Sequence, residues 1–394
     1  MLQYFFKTLT IFILNFSLPF SAMAFEEKKN LNKTLLNLPP NKWTQVHELK
    51  TTDPIWFQRQ RHGGSCFDTK RGVLILFGSD THGEDWKNSA IIFNTLTLAW
   101  SRDYPDDPVE TYAANENGMP VAGKEKNHPW AMHTFGAVVY DSARDEMVVC
   151  SHPDHMAPGR FTNALEHVWG KVLSHPTWSY KPGNRQWQPL SCDPVSFFAN
   201  SAAYDSGRSV IVGYKHEGFY EFNGNPRRWK KVAEGGFLGW SNNCVYDSKQ
   251  KKVIVFGSNE NSDEIVVYDP KTQKSYKMPT SGMRPPKDQH NPMEFEPNIG
   301  QTVIVIDRQL ENKKTQAETW LYDLEKDQWS QIKAATLPFA CGMNYNMEYD
   351  PNHKVLLLVT GGKGEGNTKV WALKINLNKD NANPVDPVIL SKEF

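Results

Sequence analysis

One short pattern recurs along this chain and restricts its fold more than any other feature. An apolar strand runs into an aromatic residue followed by an acid, a polar turn comes next, and a second apolar strand returns. The copies centre on Phe67-Asp68, Tyr140-Asp141, Tyr204-Asp205, Tyr246-Asp247, Phe295-Glu296 and Tyr349-Asp350. Each reads as a β-hairpin, because β-branched and aromatic residues flank a cluster of turn formers. Successive copies lie between 42 residues (Tyr204 to Tyr246) and 73 residues (Phe67 to Tyr140) apart. Units this small cannot bury a core alone, so they must stack side by side.

A second repeat follows the hairpins. Phe93 and Trp100, Tyr180 and Trp187, Phe222 and Trp229, and Tyr322 and Trp329 are each seven residues apart, while Tyr268 and Tyr276 are eight apart. They mark a third and a fourth strand in each unit. The sixth copy has only one further strand, around Trp371, and the segment around Trp43 has the chemistry of the missing outer one. The expectation is an all-β fold: a single six-bladed β-propeller of four-stranded blades over residues 39–378, its last blade closed by the N-terminal strand. Such closure removes free strand edges. Tyrosine-aspartate after the first strand, glycine closing the second (Gly78, Gly257, Gly361-Gly362) and the later aromatic pair resemble kelch repeats, including the galactose-oxidase type of central domain. Only the sixth copy keeps the double glycine, and the second has Cys150-Ser151-His152 instead. No position matches the cross-linked cysteine-tyrosine pair of a galactose-oxidase copper centre, so the resemblance implies the fold without that activity.

Residues 1–24 read as a secretory signal: Lys7, the apolar run LTIFILNFSLPF, then Ala22-Met23-Ala24. The reading places the protein in the periplasm or outside the cell, with no stable membrane anchor after cleavage. Residues 25–38 read as an extended lead-in and 379–394 as a polar tail. The 44 basic and 44 acidic residues cancel without runs of either sign, which argues against nucleic acid as a partner. Five cysteines fit no zinc spacing, and most read as small buried apolar residues.

In a four-stranded blade, the entrances to first strands and the exits from second strands lie on one face. Ten of the twelve histidines map there, all but His47 and His353. The long loops Asp103 to Pro129 and Pro153 to His175, on either side of the blade-two hairpin, belong to it too, and loops this long are usually functional. The densest group is His152-Pro153-Asp154-His155, facing His133 across the hairpin. His133, His152 and His155 are therefore the candidate catalytic residues, since imidazoles suit proton transfer near neutral pH. Candidate substrate contacts are the cations Arg61, His62, His82, Arg160, Lys215, His216 and Arg308, with Arg59 beside them, and the stacking surfaces Trp86, Trp130 and Trp240.

The leading expectation is an exported enzyme acting on a carbohydrate or other anionic small ligand by histidine-assisted acid-base chemistry, with no cofactor. In architecture and site composition it is similar to propeller polysaccharide lyases and to kelch-like sialic acid mutarotases. An alternative is a zinc or copper enzyme using His133, His152, Asp154 and His155, because imidazole and carboxylate are ordinary ligands for such ions. The third is a non-catalytic protein- or glycan-binding scaffold.

Overall fold

The computed structural model describes residues 31–81, 85–153, 165–261, 263–279 and 282–377. Residues 1–24, expected to be a signal segment, and the expected tail 379–394 lie outside them. Six four-stranded antiparallel sheets form the blades of a propeller. Blade one is Gly64–Asp68, Val73–Phe77, Ile91–Asn94 and Ala99–Arg102, and blade two is Val138–Asp141, Glu146–Val149, Trp178–Lys181 and Gln186–Pro189. Blades three to five follow the same plan, with first strands Ser201–Asp205, Asn243–Asp247 and Met293–Glu296. Blade six has Met347–Asp350, Val355–Gly362 and Gly366–Leu373, and its fourth strand is the N-terminal Thr44–Glu48, pairing Gln45 with Trp371. The ring is thus closed by the first strand. Trp43 is buried just before it, its indole N–H donating to Thr319 Oγ1 of blade five.

Residues 31–38 are not extended. Lys33–Leu36 forms a single helical turn capped by the Asn32 side chain, and Leu35 and Leu38 bury themselves against Leu49 and Phe57. Apolar contact wins over the polar character of the segment. Among the described residues the only other α-helix is Glu166–Trp169.

The acid of each hairpin caps its own turn. Asp68 Oδ1 accepts from the Lys70 and Arg71 amides, Asp205 Oδ1 from Gly207 and Arg208, and Asp350 Oδ1 from Asn352 and His353. Four residues after the acid, every copy holds a left-handed residue: Gly72, Asp145, Ser209, Lys251, Gly300 and Lys354. Only two are glycine, so the turn's cost is met by the capping acid in the other four. The aromatic partner latches one blade to the one before it. The hydroxyl of Tyr140 donates to Asp145, which pairs with Arg71 of blade one, that of Tyr246 reaches Asp205, that of Tyr349 accepts from Asn298 Nδ2 of blade five, and Tyr204 accepts from the Ala143 amide. In blade one Phe67 has no hydroxyl, and buried His353 instead takes up Asp350 through Nδ1 at 2.5 Å. Removing one latch by Tyr246→Phe is expected to cost about 1 kcal/mol in urea unfolding; an unchanged midpoint would show that the hydroxyl does not tie the blades.

The seven-residue aromatic spacing is a direct cross-strand pair. Phe93 faces Trp100, Tyr180 faces Trp187, Phe222 faces Trp229 and Tyr322 faces Trp329, with ring centroids 4.8 to 4.9 Å apart. Each such pair adds about 0.5–1.5 kcal/mol beyond burial. The eight-residue spacing in blade four moves Tyr276 opposite Val267, and Lys252 covers its ring instead.

The first strands surround an axial cavity of about 320 Å³, lined by the repeated aromatic residues. Where the other blades place Cys66, Val139, Ala203 and Val245, blades five and six place Glu294 and Glu348. Glu348 accepts from Ser65 Oγ at 2.8 Å. Burial, and for Glu294 the neighbouring carboxylate, hold both well above the usual carboxylate range, Glu348 at about 8.

Candidate functional site

The mouth of this axis on the histidine-bearing face is built by three short segments of blades one and two. Residues 60–63 enter the first strand of blade one, 78–81 leave its second strand, and 130–136 enter blade two. Thr134 knots them together: its hydroxyl accepts from the Gly64 amide and donates to the Phe77 carbonyl, each at 2.8 Å, while the Thr134 and Phe135 amides both donate to the His62 carbonyl. The Ser79 amide donates to the Met132 carbonyl. Phe135 takes a left-handed conformation, which turns the chain across the mouth. Gly78, also left-handed, sits so close to the Thr134 hydroxyl that a Cβ there would lie 2.3 Å from it; only glycine admits this packing.

The result brings His62, Asp80 and His133 together. The imidazoles of His62 and His133 stack with centroids 4.0 Å apart and 16° between their planes. Both Nε2 atoms approach the same carboxylate oxygen, Asp80 Oδ1, at 3.6 Å from His62 and 3.9 Å from His133. Both rings are buried. The Asp80 amide donates to Gln60 Oε1, and Gln60 Nε2 donates to Asp85, which fixes the turn bearing Asp80. Asp80 Oδ1 and the buried hydroxyls of Ser79 and Thr81 have no hydrogen-bond partner among the described residues. Phe135 and Phe198 wall the pair, and Tyr345 continues the ring of aromatics to His290. Burial lowers His290 to about 4, so it is neutral at physiological pH.

The hairpin of blade two does not pair His133 with His152. Its ladder ends where the Cys150 amide donates to the Ala137 carbonyl, and beyond that point the chain at Gly136 crosses to blade three. His152 stacks on His175 with centroids 5.3 Å apart, and its amide donates to Ser196 Oγ. Burial first, then His175 and Lys215, lower His152 to about 3. It is a neutral imidazole, suited to accept a proton or to ligate and not to donate as an acid. His82, Asp154, His155 and Arg160 lie outside the described residues.

The expected substrate contacts separate into two kinds. Arg59 is fully buried and bonded on every side, to the carbonyls of Gly361, Met343 and Cys341 and to Glu365, so it is a structural group and not a ligand clamp. Trp130 is fully buried, its indole N–H donating to the Val121 carbonyl, and it packs with Tyr112, Leu165 and Val168 in a small core that joins the two long loops. Its faces are covered. Trp86 lies half-buried at the edge of that core, whereas Trp240 is 53% exposed. Arg308 pairs with Glu318 at 2.7 Å and Lys215 with Glu217 at 3.6 Å, so each cation already has a carboxylate partner. His216 is exposed, with Nδ1 3.3 Å from the Leu238 carbonyl. Arg61, next to His62, pairs with Glu365 at 2.7 Å, and its Nε has no partner among the described residues.

Asp80 was absent from the expected site. The signal that finds it is the blade alignment: Asp80 follows the second strand of blade one as His152 follows that of blade two. No family model matches the chain, and no curated protein matches it.

Proposed function

We propose that this protein is an exported kelch-type propeller enzyme that moves protons on a carbohydrate or other anionic small ligand, with His62 and His133 as the working pair and Asp80 as the group that orients them. The observation behind this reading is the convergence of two stacked imidazoles on one carboxylate oxygen at the axial mouth. Two positive charges about 4 Å apart repel by about 4 kcal/mol at an effective dielectric near 20. A pair holding a single proton is therefore favoured, one ring acid and one ring base, with Asp80 supporting the charged ring. In a lyase, the neutral ring takes the proton beside a carboxylate. The electron pair closes a double bond and expels the glycosidic oxygen, and the charged ring protonates that oxygen. In an epimerase, the neutral ring takes the proton from one face of the carbon and the pair returns it to the other face after the intermediate turns over in the site. Arg61 supplies a guanidinium next to His62 for the ligand's carboxylate, and exposed Trp240 offers a face for a sugar ring.

The test is a panel of uronate-containing oligosaccharides and acidic monosaccharides, followed by ultraviolet absorbance for unsaturated products and by NMR for epimerisation. His62→Gln and His133→Gln are expected to lower turnover by about a hundredfold or more, whereas Trp86→Ala leaves it within a few-fold. If His152→Gln abolishes turnover and the other two do not, the working site is the His152–His175 stack. If no ligand on the panel is turned over or raises the melting temperature, the enzyme reading falls.

A further inference from the structure

The same three side chains have the composition of an open metal site. We infer that His62 Nε2, His133 Nε2 and Asp80 Oδ1 ligate one divalent cation of the zinc class at the axial mouth. The three donor atoms lie within 4.8 Å of one another. Two imidazoles with one carboxylate is a donor set that zinc accepts, and three protein ligands leave a fourth position open, as catalytic sites do. Metal–ligand bonds of about 2.0–2.2 Å put tetrahedral ligand atoms roughly 3.3–3.5 Å apart. The observed 3.6 and 3.9 Å from the imidazoles to Asp80 Oδ1 are a few tenths longer, so the main adjustment needed is in the orientation of the rings.

Two further observations point to an ion. Asp80 Oδ1 is buried without a hydrogen-bond partner among the described residues, an arrangement that a cation relieves directly. The hydroxyls of Ser79 and Thr81, on either side of it, are in the same condition, which suits water held around an ion. The frame is also fixed from behind, since Gln60 holds the Asp80 amide and the Thr134 knot holds His62 and His133, as outer groups do in metal centres. A metal lies in the plane of each imidazole that ligates it, whereas these planes are nearly parallel. Ion uptake therefore turns one ring out of the stack.

The inference shares its residues with the acid-base reading, and the experiment separates the two. The full-length protein, purified without a histidine tag and stripped with chelator, is titrated calorimetrically with zinc, manganese and copper, and its metal content is measured after dialysis. One ion per chain is expected, with the imidazole ¹⁵N resonances of two histidines shifted on binding. Asp80→Asn and His62→Gln, checked for folding by circular dichroism, are expected to weaken binding by more than the roughly tenfold to hundredfold that outer-group changes cost. Substoichiometric metal that added ions do not raise, or equal binding by wild type and both variants, overturns the site. Variants that lose turnover yet bind zinc as tightly as wild type also overturn it, and leave the acid-base reading standing.

Discussion

Replacing Arg59 by Met is expected to destabilise the protein by about 3–5 kcal/mol, the range for breaking a buried ion pair from one side. Its side chain has no exposed surface and donates to Gly361 at 2.6 Å, Met343 at 2.8 Å and Glu365 at 2.9 Å. Its amide also donates to Thr368 Oγ1. Every one of these partners belongs to blade six or to the chain entering it, so this residue at the start of blade one is a second fastening of the ring beside the N-terminal strand. The substitution takes from Glu365 the inner of its two guanidinium partners, Arg61 staying on Oε1, and leaves at least two carbonyls without their donor, each carbonyl costing about 1–3 kcal/mol when buried. Urea unfolding measures the loss. Arg59→Met with Glu365→Gln is not expected to recover the loss, because Arg61 then loses its partner as well. A loss below about 1 kcal/mol in the single variant would show that water replaces the guanidinium.

Glu348→Gln is expected to stabilise the protein at pH 8 by about 2 kcal/mol and to change little at pH 5. The folded protein holds Glu348 at about 8, against an ordinary value of 4.5, and Glu294 is raised beside it. Between these limits the folded state binds more protons than the unfolded chain, so stability falls as pH rises from about 4.5 to 8. Glutamine keeps an acceptor for Ser65 and has no proton to lose, which flattens this limb. His152 and His290 act in the opposite direction. Their values are lowered to about 3 and about 4 from 6.5, so the unfolded chain takes up protons first and stability falls as pH drops below 6.5. The difference between wild-type and variant melting curves, taken from pH 5 to 8, isolates the glutamate pair. A variant that tracks wild type at every pH would place Glu348 in full contact with solvent.

The six blades, their four strands and the closure at Trp43 follow from the sequence because each is a local pattern repeated. Alternation, an acid at the turn and aromatic residues seven apart dictate a hairpin and a cross-strand pair wherever they occur, and repetition leaves the units nothing to pack on but each other. The same patterns placed most of the histidines on one face, since topology alone decides which loops share it. What sequence could not decide was which loops of that face touch. The hairpin rule pairs His133 with His152, yet the left-handed turn at Phe135 breaks the ladder and carries His133 over to His62 and Asp80 of the neighbouring blade. Contacts between blades depend on how the sheets twist around the axis, and no single repeat encodes that. The roles of Arg59 and Trp130 were hidden for the same reason: an arginine or a tryptophan in a loop reads as exposed until the fold supplies the carbonyls and rings that bury it. The glutamates of the axis were written into the repeat from the start, at a position that is apolar in the other four blades. Only the closed ring brings those two carboxylates together in a confined channel, and that proximity, with burial, gives them their chemistry.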